Sequence, residues 1–338
     1  MNISRIKNLR VLLLISLLII SLSVVTYGQK TIVGKVYNEN TKETISYANI
    51  GVVNSNVGTI SNLDGSFSII IPKNLSNDSL TFSSLGYNRK VVSLRQLVSG
   101  KEYSVSLTEK ATLLQPVLVT AKRLKVRTIV LGNKNYDSGN YEPDTVYAGR
   151  AVALLIDPTT LLNHSTVPSY FKKAKLYIYS NNFKLFKFRI RLNKYDSLTG
   201  KPGEDLLEKS IVEESSIKEG WLTFDLSQFN LQVKGPFFIT FEQLVDLEDR
   251  KAIANGYKGI QIFHPEWLVT DTIVFEGKKQ INKRLETNGY LLSVPGTFIG
   301  TSYPKRVIEK NSCFVRTTSL GEWKKVPMII AGTVTVSR

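Results

Sequence analysis

Side chains suited to metal-assisted hydrolysis are scarce in this sequence. It contains two histidines, His164 and His264. A zinc carboxypeptidase site needs a histidine and a glutamate three residues apart plus a second histidine, but Val167 and Trp267 occupy those positions here. The triplet 264–266 has the His-x-Glu spacing of the zinc deaminases without their downstream pair of cysteines. The sequence therefore predicts no metal site, no cofactor and no metallopeptidase activity.

Other catalytic motifs are also absent from the sequence. It has no Gly-x-Ser-x-Gly elbow of a serine hydrolase, no phosphate-binding glycine loop and no dinucleotide-binding fingerprint. Two carboxylates for glycoside hydrolysis need only lie about 5–10 Å apart in space, so a glycoside hydrolase stays an alternative. The candidate carboxylates are Glu213, Glu214, Glu242, Glu266 and Asp271, and their spacing does not select a pair.

Exposed aromatic side chains beside polar groups would suit sugar binding. Three aromatic residues lie in predicted loops or near turns, and two polar residues stand just before the first of them. On this basis the predicted ligand-binding residues are Trp267, Tyr303, Trp323, His264 and Glu266. Trp221 opens an alternating strand over residues 221–226, and we predict that it belongs to the core instead.

The chain is strongly basic, with a formal net charge of +16 at pH 7. Such a field attracts anionic partners, which for an exported protein would be lipopolysaccharide, acidic polysaccharide or a membrane surface; the alternative is a merely solvated surface. No nucleic-acid-binding motif accompanies the charge, so nucleic acid is not an expected partner. The main basic runs are residues 122–127, residues 172–175, Arg189 with Arg191, and residues 278–284.

The single cysteine, Cys313, permits no internal disulfide. It lies in the apolar, strand-like run 312–315. We therefore predict that it is a buried small hydrophobic residue rather than a nucleophile.

The first residues are typical of an export signal. Arg5, Lys7 and Arg10 precede the apolar run 11–25, and Thr26 and Gly28 are small residues at positions −3 and −1 of a cut before residue 29. The run is shorter than the roughly 20 residues that a membrane-spanning helix needs. We expect a signal peptide over residues 1–28, no transmembrane anchor after its cleavage, and a location in the periplasm or at the outer membrane.

Residues 45–87 consist of short period-two runs separated by turn residues. Phe67, Ile69 and Ile71 fall on one face of an extended strand. The preceding pair Asp64-Gly65 can reverse the chain. This pattern predicts a small antiparallel sandwich, which we place at residues 29–108.

The motifs of this stretch resemble those of the carboxypeptidase-regulatory-like domain over roughly residues 30–108. They are Gly34-Lys35-Val36, Tyr47-Ala48-Asn49-Ile50, Gly58-Thr59, Asn62-Leu63-Asp64-Gly65-Ser66-Phe67 and Phe82-Ser83-Ser84-Leu85-Gly86-Tyr87. The resemblance implies a seven-stranded, transthyretin-like sandwich. Such modules are frequent in envelope proteins of Bacteroidetes-type bacteria, often at the N terminus of TonB-dependent receptors. The module accompanies many activities, so it implies fold rather than function.

A receptor of that kind also needs a plug and a barrel of some twenty-two strands, for which the remaining ~210 residues are too few. We instead predict a linker strand over residues 109–127 and a second, jelly-roll-like β-sandwich over residues 128–338. Its predicted strands are 146–156, 175–179, 186–193, 221–226, 237–241, 260–263, 272–275, 290–294, 313–317 and 328–336.

The run 186–192 carries the clearest alternation of this second half. Its apolar residues share one face, while Lys187, Arg189 and Arg191 share the other, which predicts a sheet with one packed and one wet face. Residues 204–207 and 244–254 are predicted to form helical turns in connections.

Together these features predict an all-β, non-catalytic envelope protein that acts as a binding or docking module for glycan or another cell-envelope component. One alternative is an accessory partner of a TonB-dependent outer-membrane transporter. The other is a glycoside hydrolase-type enzyme in the C-terminal sandwich.

Overall fold

The computed structural model describes residues 29–110, 127–140, 146–159, 168–275, 278–285, 296–303 and 312–337. The expected signal peptide lies outside these residues, as do the predicted strand 290–294 and nearly all of the expected linker strand. Within the described ranges, no helix is both long and apolar enough to cross a membrane.

Seven strands form a two-sheet sandwich within residues 29–110, as the family resemblance implies, but one pair of neighbouring strands is parallel, unlike the antiparallel pairing that the pattern predicts. They are β1 (Gln29–Asn38), β2 (Asn49–Gly51), β3 (Gly58–Ile60), β4 (Ser66–Pro72), β5 (Ser79–Ser83), β6 (Lys90–Ser93) and β7 (Glu102–Leu107). One sheet has the order β4-β1-β7, with β1 parallel to β7, and the other has the antiparallel order β3-β2-β5-β6. The 3₁₀ turns Lys73–Leu75 and Leu94–Gln96 follow β4 and β6.

Period-two alternation positions the core of this N-terminal sandwich. Phe67, Ile69 and Ile71 are buried, and the ring of Phe67 meets that of Phe82 edge-on at 5.5 Å. The predicted turn is present as well, because Gly65 adopts a φ of 75° that favours glycine. The local pattern therefore determines both the strand and its reversal.

The C-terminal half consists of a sandwich of two sheets and a separate hairpin, and all neighbouring strands within its described residues are antiparallel. The strands are β8 (Thr128–Asn133), β9 (Ser138–Asn140), β10 (Ala151–Ile156), β11 (Tyr170–Asn181), β12 (Phe186–Tyr195), β13 (Pro202–Asp205), β14 (Ile211–Ser215), β15 (Gly220–Asp225), β16 (Phe237–Gln243), β17 (Leu268–Phe275), β18 (Lys278–Leu285), β19 (Thr297–Ser302), β20 (Cys313–Arg316), β21 (Lys324–Val326), β22 (Ile329–Ile330) and β23 (Gly332–Ser337).

The first of these sheets has the order β13-β12-β16-β10-β20-β21, with β14 also on β12. The second has the order β22-β19-β11-β23-β8, with β15 on β11 and β9 on β19. Strands β17 and β18 pair as a separate hairpin. Consecutive long strands alternate between the two sheets, and the all-β sandwich fold expected from the sequence is confirmed.

The space between the two sheets is filled by the apolar residues that share the inner faces of their strands. Phe188, Ile190 and Leu192 are buried as predicted, and the ring of Phe224 lies 5.6 Å from that of Phe241. Cys313 is buried in the same core, and burial raises the pKa of its thiol to about 12. The interpretation of this cysteine as a small hydrophobic residue is confirmed.

One predicted strand is wrong, because residues 260–263 belong to the helix α1 (Leu247–Phe263). The helix begins at a capping box in which Asp246 accepts from the backbone of Asp249 and the Asp249 side chain accepts from the backbone of Asp246. Helical spacing then buries Arg250, Ile253 and Ile260, and a short apolar run cannot reveal this period by itself. The expected helical turn at 204–207 is also wrong, since residues 204 and 205 are the last two of strand β13 and residues 206 and 207 are not helical. Two further 3₁₀ turns are Ser227–Phe229, which follows β15, and Pro265–Trp267, which follows α1.

The predicted wet face of β12 is the largest discrepancy. Arg189 and Arg191 are only 1% and 7% exposed, because the N-terminal sandwich and neighbouring side chains cover the outer face of the first sheet. Oε1 of Glu242 accepts from Nη2 of Arg189 at 2.8 Å, and its Oε2 accepts from Nε of Arg191 at 3.0 Å. Nη2 of Arg316 lies 3.2 Å from Oε2, and Nη1 of Arg191 donates to Asp205 at 3.0 Å. We call these five residues the arginine cluster.

Arg189 also joins the two sandwiches directly. Its Nη1 donates to the backbone carbonyl of Tyr47 at 2.6 Å, and its Nη2 donates to Oδ1 of Asn49 at 2.8 Å. Ser319 donates to the same Asn49 oxygen at 3.0 Å. Burial opposes the charged form of Glu242, but the neighbouring guanidinium groups outweigh it and hold the pKa of this carboxyl far below its usual range. The ion pair therefore persists at neutral pH.

Further polar contacts extend this junction on both sides. The backbone nitrogen of Leu247, at the start of α1, donates to Oδ1 of Asn62 at 3.1 Å. The backbone nitrogen of Ala148 donates to the carbonyl of Gly58 at 3.0 Å. A small apolar cluster between the sandwiches contains Tyr47, Ile60, Ala148 and Leu244.

Two glycines allow the backbones of the two sandwiches to approach closely. A Cβ added at Gly58 would lie 2.1 Å from the carbonyl oxygen of Ser319, and one added at Gly51 would lie 2.7 Å from it. No real side chain fits at such distances. Glycine at these positions of β2 and β3 is therefore a requirement of the junction.

Replacement of Arg189 by methionine should lower the free energy of unfolding by about 3 kcal/mol, because buried polar partners lose their donor. Glu242 keeps two arginines and Asn49 keeps Ser319 as a donor, but the buried carbonyl of Tyr47 loses the donor that Arg189 supplies. Urea unfolding measures the change, with Lys194→Met, an exposed cation of the same strand, as the matched control. Equal stabilities of the two variants would contradict this role of Arg189.

Replacement of Gly58 by alanine should cost about 1–3 kcal/mol, the usual range for overpacking a close contact. The comparison variant is Gly235→Ala, where an added Cβ meets nothing within 4 Å. Limited proteolysis should show faster cleavage at the junction in Gly58→Ala alone. Unchanged stability and cleavage in Gly58→Ala would show that the backbones do not approach as closely as described.

Candidate ligand-binding surface

The predicted ligand-binding residues around the end of α1 support one another locally. The rings of His264 and Trp267 stack at 3.9 Å with an interplanar angle of 5°, and Nδ1 of His264 lies 3.2 Å from Oε1 of Glu266. Trp267 also packs partly buried against the main core. A backbone hydrogen bond lowers the pKa of the Glu266 carboxyl, and the neighbouring His264 side chain lowers this pKa further.

The other two predicted aromatic residues lie on different elements. Trp323 lies just before β21. The guanidinium of Arg316 lies 5.0 Å from the centroid of the tryptophan ring, and the ring packs against the cluster that contains Phe238 and Phe314. Tyr303 follows β19 and is 53% exposed. Among the contacts of the described residues, only those within residues 264–267 join members of the predicted set. Their ligand-binding role stays a prediction.

A different group of aromatic side chains comes together on the outer face of the second sheet. The rings of Tyr136 and Tyr177 are stacked at 4.0 Å with an angle of 19°. Trp221 meets Tyr177 edge-on at 5.2 Å, and Tyr179 meets Tyr136 edge-on at 6.3 Å. We call these four residues the aromatic surface.

Strand periodicity explains how β11 and β15 present these rings. In β11, Leu176 and Ile178 are buried in the core while Tyr177 and Tyr179 point to the opposite face. The register pairs Tyr177 with Trp221 of β15. Tyr177, Tyr179 and Trp221 therefore share one face because two neighbouring strands have the same phase, and Tyr136, between β8 and β9, stacks on that face.

The prediction that Trp221 belongs to the core is wrong. Its side chain is 36% exposed, while Leu222 and Phe224 of the same strand are buried. Trp221 alternates with these two residues and shares its face with the polar residues Thr223 and Asp225. That shared face was the sequence signal that could have placed the tryptophan outside.

Glycines form the floor beneath the rings. A Cβ added at Gly139 would lie 2.5 Å from Cδ1 of Tyr179. One added at Gly300 would lie 3.0 Å from Cδ1 of Tyr177 and 3.2 Å from Cβ of Tyr136. The tyrosine rings thus lie directly on the backbone of β9 and β19, which leaves them little freedom to move.

A chain of hydroxyl groups further orders the aromatic surface. The hydroxyl of Tyr136 donates to that of Tyr177 at 2.8 Å, which donates to Oε1 of Glu219 at 2.6 Å. The hydrogen bond to the Glu219 carboxylate, followed by that to Tyr136, raises the pKa of Tyr177 well above its usual value. The phenol of Tyr177 is therefore neutral throughout the physiological range.

Ring stacking and hydrogen bonding are the interactions that this surface offers to a ligand. Tyr136 and Tyr179 are each 40% exposed, and the Glu219 carboxylate supplies a hydrogen-bond acceptor at the edge of the rings. Across the described part of the chain, no three His, Cys, Asp or Glu side chains are placed to hold a metal ion. Of the candidate hydrolase carboxylates, Glu242 is committed to the arginine cluster and Glu214 lies 3.5 Å from Lys187.

Comparison with known proteins identifies the N-terminal sandwich. Residues 32–119 match the family model of the CarboxypepD_reg-like domain, in agreement with the resemblance noted from the sequence motifs. The match covers 88 of the 338 residues, all of them before the sandwich that carries the aromatic surface. A search of curated proteins found no match to the chain.

Replacement of Glu219 by glutamine should lower the pKa of Tyr177 toward the ordinary tyrosine value. The carboxylate favours the protonated phenol, so its removal lets the phenol ionise at a lower pH. NMR of ¹³C-labelled tyrosine follows the titration, with Tyr177→Phe assigning the signal and Glu213→Gln as control. An identical titration in wild type and Glu219→Gln would show that the hydrogen bond is absent in solution.

Proposed function

We propose that this protein is a non-catalytic, exported binding protein of the cell envelope. In this proposal the C-terminal sandwich binds glycan on the aromatic surface, and the N-terminal sandwich acts as a rigid docking unit. The observation that carries the proposal is an ordered set of three exposed rings, those of Tyr136, Tyr179 and Trp221, packed around the buried Tyr177 beside the Glu219 carboxylate.

The physical fit to a sugar has two parts. A pyranose ring has an apolar face of C–H groups and a rim of hydroxyls, and aromatic faces attract polarised C–H groups through their quadrupole. A carboxylate such as that of Glu219 can accept hydrogen bonds from the hydroxyl rim. Protein surfaces seldom display grouped aromatic rings without a partner, and here the rings are already ordered, which lowers the entropic cost of binding.

The charge around the rings favours an acidic glycan. Lys173 and Lys175 precede Tyr177 at period two on the outward side of β11, and Lys173 is exposed. The chain as a whole carries a formal net charge of +16. Cations beside a stacking surface speed the encounter with an anionic polymer. Lipopolysaccharide and acidic polysaccharides are the envelope components with both features.

The position of the N-terminal sandwich supports its docking role. It covers the outer face of the first sheet, through Arg189, whereas the aromatic surface lies on the outer face of the second sheet. The two sandwiches are joined by buried hydrogen bonds, so their orientation is set. A partner bound to the N-terminal sandwich would leave the aromatic surface directed away from it.

The alternative function is that of an accessory partner of a TonB-dependent transporter. The match of residues 32–119 to the CarboxypepD_reg-like domain supports this alternative as well. Co-purification of the intact protein with an outer-membrane barrel, independent of Tyr136 and Trp221, favours that alternative. Release of reducing sugar from a bound polysaccharide favours the glycoside hydrolase instead.

Affinity electrophoresis in gels that contain acidic polysaccharides, neutral polysaccharides or lipopolysaccharide tests the proposal. Tyr136→Ala and Trp221→Ala should each weaken retardation by roughly tenfold, equivalent to about 1.4 kcal/mol for one stacking contact. Trp267→Ala and Tyr303→Ala serve as matched aromatic controls and should bind as wild type does. Retardation that depends on Trp267 or Tyr303 but not on Tyr136 or Trp221 would contradict this assignment.

A further inference from the structure

The arginine cluster contains more positive than negative charge. Three guanidinium groups, those of Arg189, Arg191 and Arg316, surround Glu242, and Asp205 pairs with Arg191. Within the described residues the cluster therefore has three cations and two anions, a net charge of 3 − 2 = +1. Guanidinium groups stay charged in proteins, so the excess cannot be removed by loss of a proton at neutral pH.

The excess charge coincides with donors that have no partner. Nη2 of Arg191 and Nε of Arg316 are buried and make no hydrogen bond to any described residue, and Nη2 of Arg316 has the ion-pair contact with Glu242. The buried hydroxyl of Thr240 is also without a partner in that set, and Thr240 is the cross-strand neighbour of Arg191. Buried donors of this kind cost free energy unless an acceptor is present.

The two guanidinium groups that carry these donors are neighbours around one carboxylate. Nε of Arg191 and Nη2 of Arg316 lie 3.0 and 3.2 Å from the same oxygen, Oε2 of Glu242. The ring of Trp323 covers Arg316 from one side at 5.0 Å. Arg191 is only 7% exposed, so the electric field of the cluster is weakly screened by solvent.

We propose that the arginine cluster binds one small monovalent inorganic anion, of which chloride is the natural example. The anion accepts from the unpartnered nitrogens of Arg191 and Arg316 and from the hydroxyl of Thr240. A single negative charge brings the cluster to neutrality. Enclosure by Trp323 and by the neighbouring strands favours a small ion over a phosphate ester or a polymer.

The anion has a structural role, because the same cluster positions Arg189 for its contact with the N-terminal sandwich. Neutralising the excess charge relieves the repulsion among the three guanidinium groups. The protein should then be more stable when the ion is present, in proportion to the logarithm of its concentration above the dissociation constant.

Thermal unfolding of the intact protein in different sodium salts at constant ionic strength tests this proposal. Chloride and bromide should raise the midpoint by roughly 2–4 °C relative to fluoride and gluconate. General salt exclusion would favour the more strongly hydrated fluoride, so this order identifies a site. Equal midpoints in all four salts, or a higher midpoint in fluoride, would overturn the proposal.

Two variants separate the site from the overall charge. Arg316→Met leaves two cations and two anions in the cluster, and we expect it to lose the difference between chloride and gluconate. Lys325→Met removes one exposed cation from the adjacent strand β21 and should keep that difference. Loss of the salt effect in both variants, or in neither, would argue against the cluster.

A crystal of the wild-type protein grown in sodium bromide gives a direct answer that does not depend on a variant. An anomalous peak within hydrogen-bonding distance of Nη2 of Arg191 and Nε of Arg316 would support the proposal. A water molecule in that position, or a carboxylate of the chain itself, would overturn it.

Discussion

The architecture depends on the need to satisfy a guanidinium group that is almost fully removed from water. Arg189 is 1% exposed, and such a charge is tolerated only with full pairing. The guanidinium of Arg189 donates hydrogen bonds to Glu242, to the carbonyl of Tyr47 and to the side-chain amide oxygen of Asn49. Because these partners belong to different sandwiches, the charge can be satisfied only when the two are docked in one orientation. Gly51 and Gly58 allow the required approach of the backbones.

This junction organises the outer surfaces of the C-terminal sandwich. One sheet has its outer face covered by the N-terminal sandwich, while the other has an outer face on which four aromatic rings are ordered by glycine, by stacking and by the hydroxyl chain to Glu219. A single strand pattern thus serves opposite purposes, burial of charge in β12 and display of rings in β11. Both arise from side chains that point away from the core, and the neighbouring elements decide the outcome.

The basic character of the chain also divides into two parts with different physical consequences. Lysines such as Lys173 remain solvated and create a long-range field that salt screens. Arg189, Arg191 and Arg316 are buried, act over short distances and bear on the stability of the junction. A net charge read from composition cannot distinguish these two populations.

Local pattern was sufficient for the N-terminal sandwich, the turn at Gly65, the burial of Cys313 and most strands of the second half, because side-chain alternation and turn residues act over a few positions. It failed at Arg189, Arg191 and Trp221. Alternation shows which residues share a face of a strand but not what covers that face. The cover of Arg189 comes from Tyr47 and Asn49, more than a hundred positions away, and the neighbour of Trp221 is set by the register of β15 on β11. Only the tertiary structure brings such distant residues together, so it alone decided which polar face is buried and where the exposed rings meet.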